Sequence, residues 1–174
     1  MDTDGMIPIQ DYEDYLISEI GEVYNQRTES FMAISRTIQG DRKVTLSQEG
    51  CRTTRSIRVL VAEAFVYNPN PHETYEAPAF DTVVLLDGDK ENIHPSNLTW
   101  RPKWFAQCYV LQMKRDYDEF VLSRPVLNAK TGQIHDSILA CSVSEGVLID
   151  DVIRSIRVGD TVFPHFAFYL WDVV

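Results

Sequence analysis

Basic charge is what this sequence lacks most: 16 Lys and Arg stand against 26 Asp and Glu, for a formal charge of −10 and a pI near 4.7. That balance argues against indiscriminate binding to nucleic acid or to an anionic membrane, because both surfaces repel an acidic chain at long range. A local basic face remains open to it. The best candidate is "GCRTTRSIR", where Arg52, Arg55 and Arg58 recur with a regular spacing behind Arg42 and Lys43. The plainer reading of these arginines is a solvated set balancing nearby acids. Cysteine is also scarce. Cys51, Cys108 and Cys141 are odd in number, lie far apart and form no Cys-x-x-Cys pair, which excludes a disulfide scaffold and a zinc ribbon and predicts reduced, buried thiols. A long apolar run is missing too, and the opening "MDTDGMIPIQDYEDY" is acidic, so neither a signal peptide nor a spanning helix is expected and the predicted location is the cytoplasm. What the sequence does hold is 44% hydrophobic and 11% aromatic residues over 174 positions, enough core for one ordinary domain or two small modules without staples.

The first third reads as short strands and turns. In "YEDYLISEIGEVYNQRT" the apolar positions are Tyr15, Ile17, Ile20, Val23 and Tyr24, with Gly21 where a positive φ is cheap. The stretch from Phe31 to Ser56 alternates apolar and polar residues around Gln-Gly-Asp and Glu-Gly turns, as hairpin strands do. The period then changes: Leu60, Val61, Ala64 and Phe65 share one face of a short helix that Asn68 and Pro69 end. A Pro- and acid-rich connector follows over 68–81. After "VVLLDGDKENIHPSNLTW", Phe105, Tyr109, Val110 and Met113 fall at helical spacing in "WFAQCYVLQMKRDYDEFVL", predicting a linking helix. From Arg124 onward the pattern predicts a strand, a Thr-Gly turn and a returning strand. Asp136 or Ser137 then caps one helix, and a Ser-Glu-Gly turn leads into a second, striped by Ile149, Val152, Ile153 and Ile156. An aromatic strand, "PHFAFYLWDVV", closes the chain.

These residues resemble the phage and intron HNH homing-endonuclease family. Tyr12, Tyr15, Ile17, Ser18, Gly21, Val23 and Tyr24 match the Tyr-x-x-Tyr-x-Ile-Ser-x-x-Gly-x-Val-Tyr run of the small module in front of many such nucleases. Leu60, Val61, Ala62, Ala64 and Phe65, then Asp87, Gly88, Asp89, Asn92, Asn97, Leu98 and Trp100, are in register with the two halves of the HNH module. Residues 125 to 171 resemble its C-terminal DNA-contacting unit less tightly. The resemblance implies an α+β fold in three parts. These are a small β-rich module over 1–49, a degenerate ββα-metal (HNH, or His-Me finger) core with its linking helix over 50–120, and a strand-helix-turn-helix-strand unit over 121–174.

The family's chemistry needs a histidine that takes a proton from water and a divalent ion on oxygen ligands that stabilises the leaving oxygen. By the resemblance, the base falls at Leu85, the preceding ligand at Val84 and a further ligand near Ala106, none of which carries a suitable donor; Arg58 stands where another histidine is common. His94 reads as a loop histidine before a proline, and His72, His135 and His165 as packing or surface residues. Asp87 and Asp89 read as a tight turn held by Asn92 and Asn97. The expectation is therefore a non-enzyme: no catalytic residue, metal or small-molecule cofactor, with Asp87, Gly88, Asn92, Asn97 and Trp100 as residual scaffold.

Two functions lead, with an active nuclease of unusual centre, His94 replacing the lost base, as a third. One is a DNA-binding, regulatory protein of a phage or mobile element, in the host cytoplasm if phage-encoded, touching duplex DNA through Arg52, Arg55, Arg58, Arg154 and Arg157. Asp150 and Asp151 at the start of the second C-terminal helix oppose it. The other is an acidic protein-binding module, an inhibitor or structural subunit acting on a host or phage protein. The acid balance, Tyr75 and Phe80 in the connector, and the aromatic final strand suit that reading.

Overall fold

In the computed structural model, residues 3–72, 78–163 and 168–170 are described, Leu170 through its backbone only. Tyr75, His165 and most of the expected final strand lie outside them. The chain is α+β, as its patterning predicts, and it divides into two compact units, Met1–Ala106 and Gln107–Val174.

The first unit opens with a four-stranded antiparallel sheet: β1 (Ile7–Ile9), β2 (Tyr12–Ile17), β3 (Val23–Asn25) and β4 (Ser30–Phe31), in that order. Its inward residues, Ile9, Tyr15, Ile17 and Val23, are buried, as alternation along a strand requires. Gly21, between β2 and β3, has φ +80°, and a Cβ there would lie 2.4 Å from both Ile57 Cγ2 and Ile93 Cδ1. Glycine is thus demanded by backbone and by space together. A second sheet holds β5 (Ser35–Arg36), β6 (Arg42–Gln48) and β7 (Cys51–Ser56). The Tyr15 hydroxyl accepts the Ser47 amide at 3.1 Å, which ties the first sheet to the second.

Helix α1 (Ile57–Phe65) follows β7 directly and buries Ile57, Leu60, Val61 and Ala62 against both sheets and the hairpin of β8 (Thr82–Leu85) and β9 (Leu98–Arg101). Ala64 and Phe65, placed on the buried face by periodicity, are only half-buried because the helix stops there. Helix α2 (Lys103–Gln112) comes next, its opening residues belonging to the first unit and the rest to the second.

The expected linking helix is not continuous. It stops at Gln112 and, after a turn, one short helix α3 (Glu119–Leu122) begins with the Asp118 carboxylate accepting the Phe120 amide at 2.9 Å. An aspartate at this position favours a helix start over a helix interior, which is why apolar spacing alone overran the break. Val110, placed on the buried stripe by that spacing, is exposed, and the polar Gln112 is buried in its stead.

The second unit holds β10 (Val126–Asn128), β11 (Ile134–His135) and β12 (Phe168–Leu170), paired in the order β11-β10-β12, with α4 (Ile138–Glu145) and α5 (Ile149–Val158). Ser137 caps α4 by accepting the Ala140 amide at 2.9 Å, and Gly146 ends it with φ +60°. The core is Val126, Ile138, Cys141, Val147, Ile149, Val152, Val162 and Phe168. Of the thiols expected to be buried, only Cys141 is; Cys51, the first residue of β7, and Cys108 on α2 are exposed. Among the described residues no helix is long and apolar enough to cross a membrane.

Candidate nucleic-acid interface

The motif loop hangs between β8 and β9, whose register sets Val84 opposite Thr99 and Leu85 opposite Leu98. Its mouth is closed by the Leu86 amide donating to the Asn97 carbonyl at 2.9 Å. Asn97, buried on the single turn of 3-10 helix Pro95–Asn97, organises the rest. Its Oδ1 accepts the Asp87 amide at 3.0 Å, and its Nδ2 donates to Asp87 Oδ1 at 2.8 Å and to the Asn92 carbonyl at 2.7 Å. Asn92 Nδ2 donates to Asp87 Oδ2 at 2.6 Å, and the Asp89 amide to Asp87 Oδ1 at 2.8 Å. Partial burial pushes the Asp87 carboxyl up, but the Asp89 amide, Asn97 and Asn92 together hold it below the usual carboxylate range. Gly88 takes the positive φ of the turn, and the Trp100 indole donates to the Val66 carbonyl at 3.2 Å, joining β9 to the end of α1.

At the positions where the resemblance places base and metal ligands, Leu85, Val84 and Ala106 are buried apolar side chains. They offer neither a proton acceptor nor an oxygen donor, so a hard cation does not fit the site as these residues stand. Among the described residues no cluster of three or more His, Cys, Asp or Glu could hold a metal ion. His94 turns back on its own loop: Nδ1 lies 2.8 Å from Ser96 Oγ, and Nε2 lies 3.5 Å from Glu19 Oε2. His72 is exposed, and His135 is buried beside Glu145 at 3.0 Å.

The arginines do not gather on one strand face. Side chains alternate along a strand, so Arg52 and Arg55 emerge on opposite sides of β7. Arg52, paired with Ser47, is exposed on the outer face together with Thr45 and Thr54, and at the far end of that face Lys43 is half-buried. Arg55, paired with the buried Val44, turns inward and donates from Nη2 to both Glu63 oxygens at 2.7 and 2.8 Å. Arg58, on α1, has Nη1 3.7 Å from Asp41 Oδ1. On α5, Arg154 pairs with Asp151 at 3.1 Å and Arg157 is exposed in the last turn. Asp150, at the start of that helix, is met by Arg115 at 2.6 Å, so both acids there are neutralised within the second unit.

Sequence reading missed a basic group around the motif loop itself. Arg36 forks onto Glu91, with one contact at 2.9 Å, and Lys90 donates to the Gln39 carbonyl at 2.6 Å and stands 3.7 Å from Asp41. Their separation along the chain hid this group; the one available signal was a lysine inside the motif.

No family model matches the chain. An uncharacterized HNH endonuclease, L245, of Acanthamoeba polyphaga mimivirus is 27% identical over 94 residues. That match covers 54% of this chain and 26% of the viral protein, so the chain spans about a quarter of its relative's length. The HNH homing endonuclease I-HmuI, in a structure of DNA binding and cleavage, superposes with a TM-score of 0.51 at 18% identity, over 98% of each chain. These findings overturn the expectation of a non-enzyme, since both proteins are named as endonucleases and the group they point to is a nuclease group. The error was physical as well: that expectation read the fate of three positions, Leu85, Val84 and Ala106, as the fate of the whole chain, although catalytic donors can be supplied from other positions in a fold. Over about half its length the chain is similar in sequence to a viral HNH endonuclease, and over nearly all of it its fold resembles that of the HNH homing endonuclease I-HmuI.

Proposed function

We propose that the chain is an HNH endonuclease-like protein that binds duplex DNA. The observation that carries this is the intact motif loop, in which Asp87, Asn92 and Asn97 form a closed hydrogen-bonded set; the β6–β7 hairpin adds a face with Arg52 exposed and Lys43 half-buried. Such a face offers cations to phosphates on a rigid strand pair, and cation–phosphate contact supplies most of the affinity for a duplex. The α4–Gly146–α5 pair, with Arg154 and Arg157 exposed, is the second element suited to enter a groove. The net charge of −10 opposes long-range attraction, so binding is confined to these faces and weakens steeply as salt rises.

The test is a titration against duplex fragments of the source genome with magnesium present, at low and at physiological salt, with strand integrity read on a denaturing gel. Selective retention of a few fragments at physiological salt is the expected outcome, with Arg52→Ala lowering the salt slope by about 0.9 for one lost phosphate contact. Scission dependent on magnesium would assign the chemistry to groups other than Leu85, Val84 and Ala106. Absence of retention at either salt would reject DNA binding and leave the protein-binding alternative.

A further inference from the structure

We propose that Arg36, Arg42, Arg58 and Lys90 form a seat for one backbone phosphate of the duplex at the rim of the motif loop. The inference rests on the DNA-binding reading and adds a site to it. Three segments distant in sequence converge here: the β5–β6 turn brings Arg36, Asp41 and Arg42, the first turn of α1 brings Arg58, and the loop brings Lys90 and Glu91. Four cations gather around the carboxylates of Asp41 and Glu91 in a strongly acidic chain.

Arg36 is forked onto Glu91 and Lys90 also donates to the Gln39 carbonyl, but the counter-ion shared by Lys90 and Arg58 holds them loosely. Lys90 Nζ and Arg58 Nη1 each stand 3.7 Å from the same oxygen, Asp41 Oδ1, beyond charge-assisted hydrogen-bond length. Arg42 and Arg58 each keep a buried Nε with no hydrogen-bond partner, and buried donors left unmet are rare in native proteins. Their stems are packed while donor capacity stays unspent. A small tilt of either guanidinium toward an incoming oxygen meets that capacity, and an arginine fork matches two oxygens of one phosphate. Lys90, Arg36 and Arg58 keep 43%, 57% and 34% of their side chains exposed, so the seat is open from solvent. A network serving stability alone would close the two Asp41 contacts to hydrogen-bond distance, as Arg55 does with Glu63 and Arg36 with Glu91.

The experiment uses the full chain and a fluorescent duplex retained by the wild type, titrated over a range of salt. Lys90→Gln should lower the slope of log affinity against log salt by about 0.9, the value for one lost phosphate contact. Lys114→Gln, an equal loss of charge at an exposed position of the second unit, should leave that slope unchanged. Asp41→Asn removes the shared counter-ion and should tighten binding, whereas a purely structural network would lose thermal stability with no gain in affinity. Thermal melts of each variant confirm that it is folded. A wild-type slope for Lys90→Gln, or an equal drop for Lys114→Gln, overturns the seat while leaving DNA binding intact. A wild type that binds no duplex rejects both readings together.

Discussion

Asn97 shows how much one side chain can organise. Its amide makes three hydrogen bonds, to the Asp87 amide, the Asp87 carboxylate and the Asn92 carbonyl, from a buried position. Asn97→Ala leaves those groups unmet and should cost about 2–4 kcal/mol, read from urea unfolding. Asp87 adds a pH signature. Its carboxyl titrates lower in the folded chain than in the unfolded one, so its contribution is fully present above the ordinary aspartate range, about pH 4, and is lost as pH falls through the folded value. The stability gap between wild type and Asp87→Asn should therefore be wide at neutral pH and shrink as pH falls below the ordinary aspartate value of about 4. That this loop would be tied by asparagines was legible from Asp-Gly-Asp followed by two Asn. That Arg55 would be spent on Glu63 was not, because the pairing depends on how α1 turns back over β7.

Elements were legible where local chemistry and burial agree. Ser137 caps α4 and Gly146 ends it, as their residue types announce. Gly21 illustrates the opposite case. Its need for positive φ could be guessed from the turn, but the approach of Ile57 and Ile93 that leaves no room for a methyl exists only because α1 and the motif loop close over the β2–β3 turn. Gly21→Ala meets both obstacles and should destabilise the first unit by about 2–4 kcal/mol, seen as a lowered melting temperature. The break between α2 and α3 lies between these extremes. Asp118 signalled a start, yet apolar spacing ran through it, and Gln112 is buried because its amide serves Ser142 Oγ at 3.2 Å and the Ile149 amide at 2.9 Å. Those partners lie far along the chain, so no local pattern could have put a glutamine in a core.

At the scale of the molecule, thiol chemistry reports folding. Burial, with Glu145 nearby, pushes the Cys141 thiol up to about 12, whereas Cys51 and Cys108 are exposed. Alkylation under native conditions should label two sites per chain, and Cys141 only after denaturant unfolds the second unit; early labelling of Cys141 would show that its core opens. The sequence by itself determined the class of fold, the order of its strands and helices, the caps and turns, and the loop that resembles an HNH motif, because each of these is written in neighbouring residues and their periodicity. Only the tertiary structure decided which arginines are committed to carboxylates, which thiols are hidden and which cations gather around the loop. Charge pairing and burial depend on distances between segments far apart in the chain, such as Arg36 with Glu91, and those distances exist only once the sheets and α1 have packed.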